Sequence, residues 1–148
     1  MTINQYECVL KKTGEFEYDG PARIHSEEDF FQILDSYGLR ENAEEHFVLI
    51  TMDSALEVTG LFEVAKGKPD QMGLDTRELF KRACLMNSTI MAVAHNHPHT
   101  GEAKPSPEDI ALTNKIMFGC EAMGISFIDH IIMTLDDEIS MKKSGYIE

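Results

Sequence analysis

The sequence predicts an α/β domain in which strands and helices alternate along the chain and pack as layers. Three observations carry this. Short apolar runs recur at 47–52, 89–94 and 125–135, each bounded by polar or turn-forming residues. Helix-start signals stand at Ser26, Asp75 and Ser106, each followed by apolar residues at helical spacing. The 148 residues are 43% hydrophobic, enough to bury a core without disulfides. The whole chain, 1–148, reads as a single domain without internal repeat, low-complexity tract or linker.

Taken in order, Tyr6 to Tyr18 alternates enough for a β-hairpin turning at Thr13-Gly14. Ser26-Glu27-Glu28-Asp29 reads as an N-cap with an acidic first turn; Phe30, Phe31, Ile33, Leu34 and Tyr37 follow on one helical face, and Gly38 is the stop. Phe47 to Met52 suits a buried strand, and Leu56 to Ala65 a second strand bent at Gly60. Asp75-Thr76-Arg77-Glu78 resembles a capping box, opening a helix through Leu79, Phe80, Ala83 and Met86. Thr89 to Ala94 is strand-like and delivers His95 at its end. Asn96 to Pro105 is a loop, after which Ser106-Pro107-Glu108-Asp109 starts a strong helix that Gly124 closes. Ile125 to Leu135 is a strand with a hydrophobic centre, followed by a short C-terminal hairpin.

Composition narrows the function classes. Twenty-six acidic against thirteen basic residues give a net charge of −13, and no basic run appears. Duplex binding draws affinity from Lys and Arg on phosphates, so autonomous nucleic-acid binding is not expected. No stretch approaches the ~20 apolar residues of a membrane span, and the N-terminus lacks the layout of a secretory signal. Cys8, Cys84 and Cys120 are odd in number and widely spaced, which fits neither a disulfide framework nor a cysteine zinc site and points to the reducing cytoplasm.

The chemistry concentrates in His95-Asn96-His97-Pro98 and Ser106-Pro107-Glu108-Asp109. Residues two apart on an extended strand face the same way, so His95 and His97 share a face. A helix N-terminus set against a strand C-terminus can bring Asp109 up to both imidazoles. Two His nitrogens and one Asp oxygen make a three-ligand site that leaves a coordination position open, the arrangement of a catalytic zinc. Ser106 and Asp109 also have an ordinary explanation as a capping box, and that local pattern by itself favours capping.

His-x-His-Pro-x7-Ser-x2-Asp with an upstream glutamate resembles the JAMM (MPN+) metalloprotease motif, and its wording here, through Asp109-Ile110-Ala111-Leu112-Thr113, is similar to the RadC branch. Glu45-His46-Phe47 leading to Asp53, Thr76-Arg77-Glu78-Leu79-Phe80 with Ala83, and Ile128-Asp129-His130-Ile131-Ile132 resemble further family segments, so the likeness runs from about Ser26 to the C-terminus. It implies a cytidine-deaminase-like α/β fold, a central mixed sheet flanked by helices. It also implies Zn2+ held by His95, His97 and Asp109, with Glu45 as general base and acid and Ser106 steadying the oxyanion. Glu44 competes with Glu45; the offsets from Glu45 to Phe47 and Asp53 fit the family strand better. His99 stands where the family usually carries Ser, and Lys68 and Thr76 replace its usual Thr and Pro. His99 reads either as an extra ligand or substrate contact or as an exposed loop imidazole. The helical domain that precedes this module in longer relatives has no counterpart here, so the chain is expected to be the short form.

Such a site suits amide hydrolysis. A catalytic zinc lowers the pKa of a coordinated water to about 7. A carboxylate within hydrogen-bond reach takes the water's proton and passes it to the leaving nitrogen. Both imidazoles need partners for their second nitrogens, for which Asp129, Asn96 and His130 are the candidates. The expected function is therefore a zinc-dependent peptidase or isopeptidase acting on a peptide or protein. The alternatives are a non-catalytic MPN-type interaction module and a DNA-repair-associated role, the latter following the family's label. A zinc deaminase and a His-Glu-x-x-His protease are excluded, because their motifs are absent.

Overall fold

The computed structural model describes residues 1–67 and 74–148. Lys68 lies outside the described residues. In chain order the elements are α1 (Glu27–Tyr37), a 3₁₀ turn (Leu39–Glu41), β1 (His46–Met52), β2 (Val58–Lys66), α2 (Thr76–Leu85), β3 (Ile90–Asn96), α3 (Pro107–Met123), β4 (Ser126–Met133) and β5 (Glu138–Ser140). The strands form one sheet in the order β2-β1-β3-β4-β5. Among the described residues only β3 and β4 run parallel, joined by α3; the remaining pairs are antiparallel. The expected mixed sheet flanked by helices is what forms.

Helix boundaries follow local chemistry. At α1, Asp29 Oδ2 accepts the backbone N–H groups of His25 and Ser26, and Gly38 ends the helix at φ 86°, where a side chain would be strained. At α2, Asp75 caps by accepting the Arg77 N–H at 2.9 Å. Glu78 does not reach back to complete a box but turns forward to Lys81 and Arg82. At α3, Ser106 caps, Pro107 occupies the first turn, and Gly124 closes at φ 69°.

Alternation sorts the central strands onto two cores. Val48, Ile50 and Met52 face α1 with Phe30, Ile33 and Leu34. Phe47, Leu49, Met91 and Val93 face α2 and α3, meeting Leu79, Ala83, Ile116 and Cys120. Being covered on both faces, β1 and β3 are buried almost throughout, which explains their continuous apolar runs. The bend expected at Gly60 is a register shift: Thr51 pairs with Gly60 and Met52 with Val58, leaving Thr59 as the extra residue.

The N-terminal hairpin does not form. Residues 1–18 carry no strand, and Met1, Ile3, Tyr6 and Val9 are exposed. Alternation alone does not make a hairpin; two strands need a third or a helix beneath them. Only the end of the segment finds such a surface, where Phe16 meets the Tyr37 ring at 5.5 Å and Tyr18 packs on the α1 core.

Burial in the α3 core pushes the Cys120 thiol up to about 11, whereas Cys8 and Cys84 are exposed. Iodoacetamide at pH 8 is expected to modify two thiols of the native protein and all three in guanidinium, counted by intact mass. Rapid labelling of Cys120 in the folded chain would contradict this packing.

Candidate metal centre

The centre lies where the parallel strand β3 ends and α3 begins. His95 sits within β3, buried to 1% exposure and stacked on Phe47 at 5.8 Å between ring centroids. Just beyond the strand, the His97 N–H donates to the Met133 carbonyl at 2.8 Å. That bond extends the ladder to β4 and keeps both imidazoles on one face. Across the loop, Ser106 and Asp109 form a reciprocal capping box. Ser106 Oγ accepts the Asp109 N–H at 3.1 Å, and Asp109 Oδ2 accepts the Ser106 N–H at 2.8 Å.

Asp109 has a second role from the same position. Its Oδ1 lies 3.2 Å from His95 Nε2, its Oδ2 lies 3.3 Å from His97 Nε2, and the two Nε2 atoms are 2.9 Å apart. These three side chains could hold a metal ion. Burial by itself raises the Asp109 carboxyl, but hydrogen bonds from His95 and His97, the charge on His95 and the Ser106 N–H together pull it well below the usual carboxylate range. It is therefore ionised at neutral pH.

Behind His95 stands His130, fully buried on β4. His95 Nδ1 and His130 Nε2 are 2.8 Å apart, and His130 Nδ1 lies 2.7 Å from Thr113 Oγ1. Burial and the neighbouring charge of His95 hold the His130 pKa well below its ordinary value, so the ring is neutral. Of the three candidate partners for the imidazoles, His130 is the one that meets one. The Asp129 carboxylate points to the α1 side, where Oδ1 accepts the His130 and Lys142 N–H groups at 2.8 and 3.1 Å and Oδ2 accepts the Ser140 hydroxyl.

Asn96 also leaves the imidazoles alone. Its Oδ1 accepts the His46 N–H at 2.7 Å, while Nδ2 donates to the carbonyls of Glu44 and Asn42 at 3.1 and 3.3 Å. One side chain thereby fastens the segment that carries both candidate glutamates. Within it Glu45 is half-buried and Glu44 is exposed; the Glu45 carbonyl accepts the Gly67 N–H at 2.8 Å. Glu45 stands two residues before Phe47, which stacks on His95, and so at the same end of the sheet as the cluster. Ser106 is partly exposed, its Oγ lone pair occupied by the cap and its proton available to donate. His99 is exposed, its Nδ1 against the Thr100 carbonyl and its ring 5.8 Å from that of His97.

Thr113 is the contributor that motif reading passes over. It is fully buried and donates to the Asp109 carbonyl at 2.6 Å. Its signal was its position, four residues after Asp109 and so on the same helix face.

A mixed sheet with a His-His-Asp cluster at the carboxyl end of its parallel strand defines a domain of the JAB/MPN class. The family profile of the RadC-like JAB domain matches residues 24–146. The chain is similar to a UPF0758 protein of Methanococcoides burtonii, 32% identical over 139 residues that cover 94% of this chain and 60% of that protein. Similar proteins occur in Methanosarcina mazei (30% over 140 residues, 95% and 60%) and Desulfitobacterium hafniense (33% over 103 residues, 70% and 45%). The chain belongs to the RadC-like JAB domain family. It spans about 60% of the length of the first of these relatives. Among the described residues no helix is long and apolar enough to cross a membrane.

Proposed function

We propose that this domain is a zinc-dependent hydrolase of the JAMM type that cleaves peptide or isopeptide bonds. The convergence of His95, His97 and Asp109 carries the reading. A tetrahedral ion with ligand bonds of about 2.0–2.1 Å sets its ligand atoms about 3.3–3.4 Å apart. The two Nε2 atoms are 2.9 Å apart, Asp109 meets His95 through Oδ1 at 3.2 Å and His97 through Oδ2 at 3.3 Å, and one ligand atom from each residue lies within 4.8 Å of the others, so the three side chains can close on a zinc ion by small side-chain rotations. Two imidazoles and one carboxylate are also a usual donor set for zinc.

When bound, zinc supplies Lewis acidity, which activates water at neutral pH and polarises a carbonyl. The chain supplies the rest. Glu45 is the group to take a proton from the attacking water and return it to the leaving nitrogen. The Ser106 hydroxyl, its lone pair held by the helix cap, can donate to an oxygen that gains negative charge. Ionised Asp109 offsets half of the 2+ charge of the metal.

A peptide or protein is the proposed substrate, with no autonomous binding to nucleic acid; the net charge of −13 supports the latter. The test is metal analysis of the purified chain together with a peptide-library cleavage screen. One equivalent of zinc and metal-dependent cleavage are expected, and no stoichiometric metal under mild conditions would refute the reading. Tight duplex binding in a gel shift at physiological salt would refute the partner assignment.

Zinc affinity is expected to fall with acidification. Zinc binds only deprotonated donors, so acid competes with it for the cluster, whereas Asp109, held well below the carboxylate range, stays ionised in the weakly acidic range. Chelator competition between pH 7.5 and 5 measures the slope; a flat profile would remove both imidazoles from the ligand set.

A further inference from the structure

Behind the cluster, a line of buried polar atoms runs from His95 through His130 and Thr113 back to the backbone of Asp109. We propose that His130 and Thr113 fix the ring tautomer of His95, so that its Nε2 carries a bare lone pair toward the metal position. The inference rests on reading the cluster as a metal centre.

Donor counting gives the direction of every bond. A carbonyl oxygen only accepts, so the 2.6 Å contact between Thr113 Oγ1 and the Asp109 carbonyl consumes the single hydroxyl proton. Thr113 Oγ1 must then accept at its 2.7 Å contact with His130 Nδ1, which places a hydrogen on that nitrogen. Fully buried and facing only a hydroxyl and another imidazole, the His130 ring holds one proton, so its Nε2 is an acceptor. At 2.8 Å, His95 Nδ1 must donate to it. The hydrogen that His95 Nε2 shares with Asp109 in the metal-free cluster is then the one a metal displaces, and with hydrogen kept on Nδ1 the freed Nε2 lone pair faces the metal position beside His97. One backbone carbonyl thus sets the orientation of three side chains in series. The same residue, Asp109, ends the line at its carbonyl and joins the cluster at its carboxylate.

His130 and Thr113 are positioning residues in this scheme, since neither joins the cluster. The fold builds them in from two elements: His130 from β4, paired in parallel with β3, and Thr113 from the first turns of α3.

The test uses the full chain in its metal-free and zinc-loaded forms. Long-range 1H–15N correlation of the metal-free wild type should show hydrogen on Nδ1 of both His95 and His130 and none on His130 Nε2, and the zinc-loaded form should show His95 Nε2 without hydrogen. Thr113→Val removes the hydroxyl at nearly constant volume, and Thr113→Ser restores it. Thr113→Val is expected to weaken zinc binding by about 10–100-fold, the usual range for loss of a group that orients a ligand, and to disturb the His95 signature. Thr113→Ser should match wild type in both. A wild-type His95 without hydrogen on Nδ1 would overturn the proposal, as would a folded Thr113→Val with unchanged zinc affinity and signature. If Thr113→Val does not fold, the wild-type spectrum decides alone. A wild type that shows the Nδ1–H signature but binds no zinc would uphold the tautomer line and refute the metal reading instead.

Discussion

Glu45→Gln is expected to bind a full equivalent of zinc and to lose ~10²–10⁴-fold in turnover, the usual contribution of a general acid–base group. The substitution keeps the shape and hydrogen-bonding reach of the side chain and removes only its capacity to take and return a proton. Because Glu45 is not part of the His-His-Asp cluster, the metal content should not change. Glu44→Gln is the matched control: that side chain is exposed, and its replacement should leave turnover within a few-fold. The reverse pattern, with Glu44→Gln inactive and Glu45→Gln active, would move the role by one residue. Asn96→Ala releases the Asn42–His46 segment from β3 and is expected to lower turnover with zinc content preserved, because its hydrogen bonds reach the backbone around Glu45 and not the cluster.

Asp109→Ala is expected to lose two functions together. The chain should no longer retain zinc, so the thermal stabilisation by added metal disappears; for a ligand present at 1,000 times its Kd that amounts to about 4 kcal/mol. The metal-free protein should also lose about 1 kcal/mol, because the carboxylate that accepts the Ser106 N–H in the capping box is gone. His97→Ala separates the effects. It should abolish zinc retention without the loss at the helix N-terminus, since the His97 side chain takes no part in that cap. Denaturant melts with and without zinc for wild type, Asp109→Ala and His97→Ala resolve both contributions. Zinc-dependent stabilisation that survives in His97→Ala would remove that residue from the ligand set.

Ser106 and Asp109 admitted an ordinary capping explanation and a ligand explanation; the structure shows the cap and sets the same carboxylate beside both imidazoles. The capping box turns the Asp109 carboxylate inward, and the same carboxylate meets the imidazoles. α1 was legible almost to the residue because its cap, apolar face and Gly38 stop are local signals. The N-terminal alternation misled because a strand needs a partner edge, which no local pattern records.

The His-His-Asp cluster, the capping signals and the family likeness were all carried by the amino-acid order, since each depends on residues close in sequence at fixed spacing. Which residue stands behind His95 depended on strand register. Simple alternation from Phe127, which faces α2 and α3, sends Asp129 to that same face and His130 to the other. The structure does the opposite. Met91 pairs with Phe127 but Ala92 with Asp129, so Ile128 is an inserted residue that shifts every later side chain by one. Asp129 is carried to the α1 side and His130 under His95. With a side-chain period of two, one extra residue reverses both faces, and a bulge of this kind is set by pairing between distant strands, not by the residues of the strand itself.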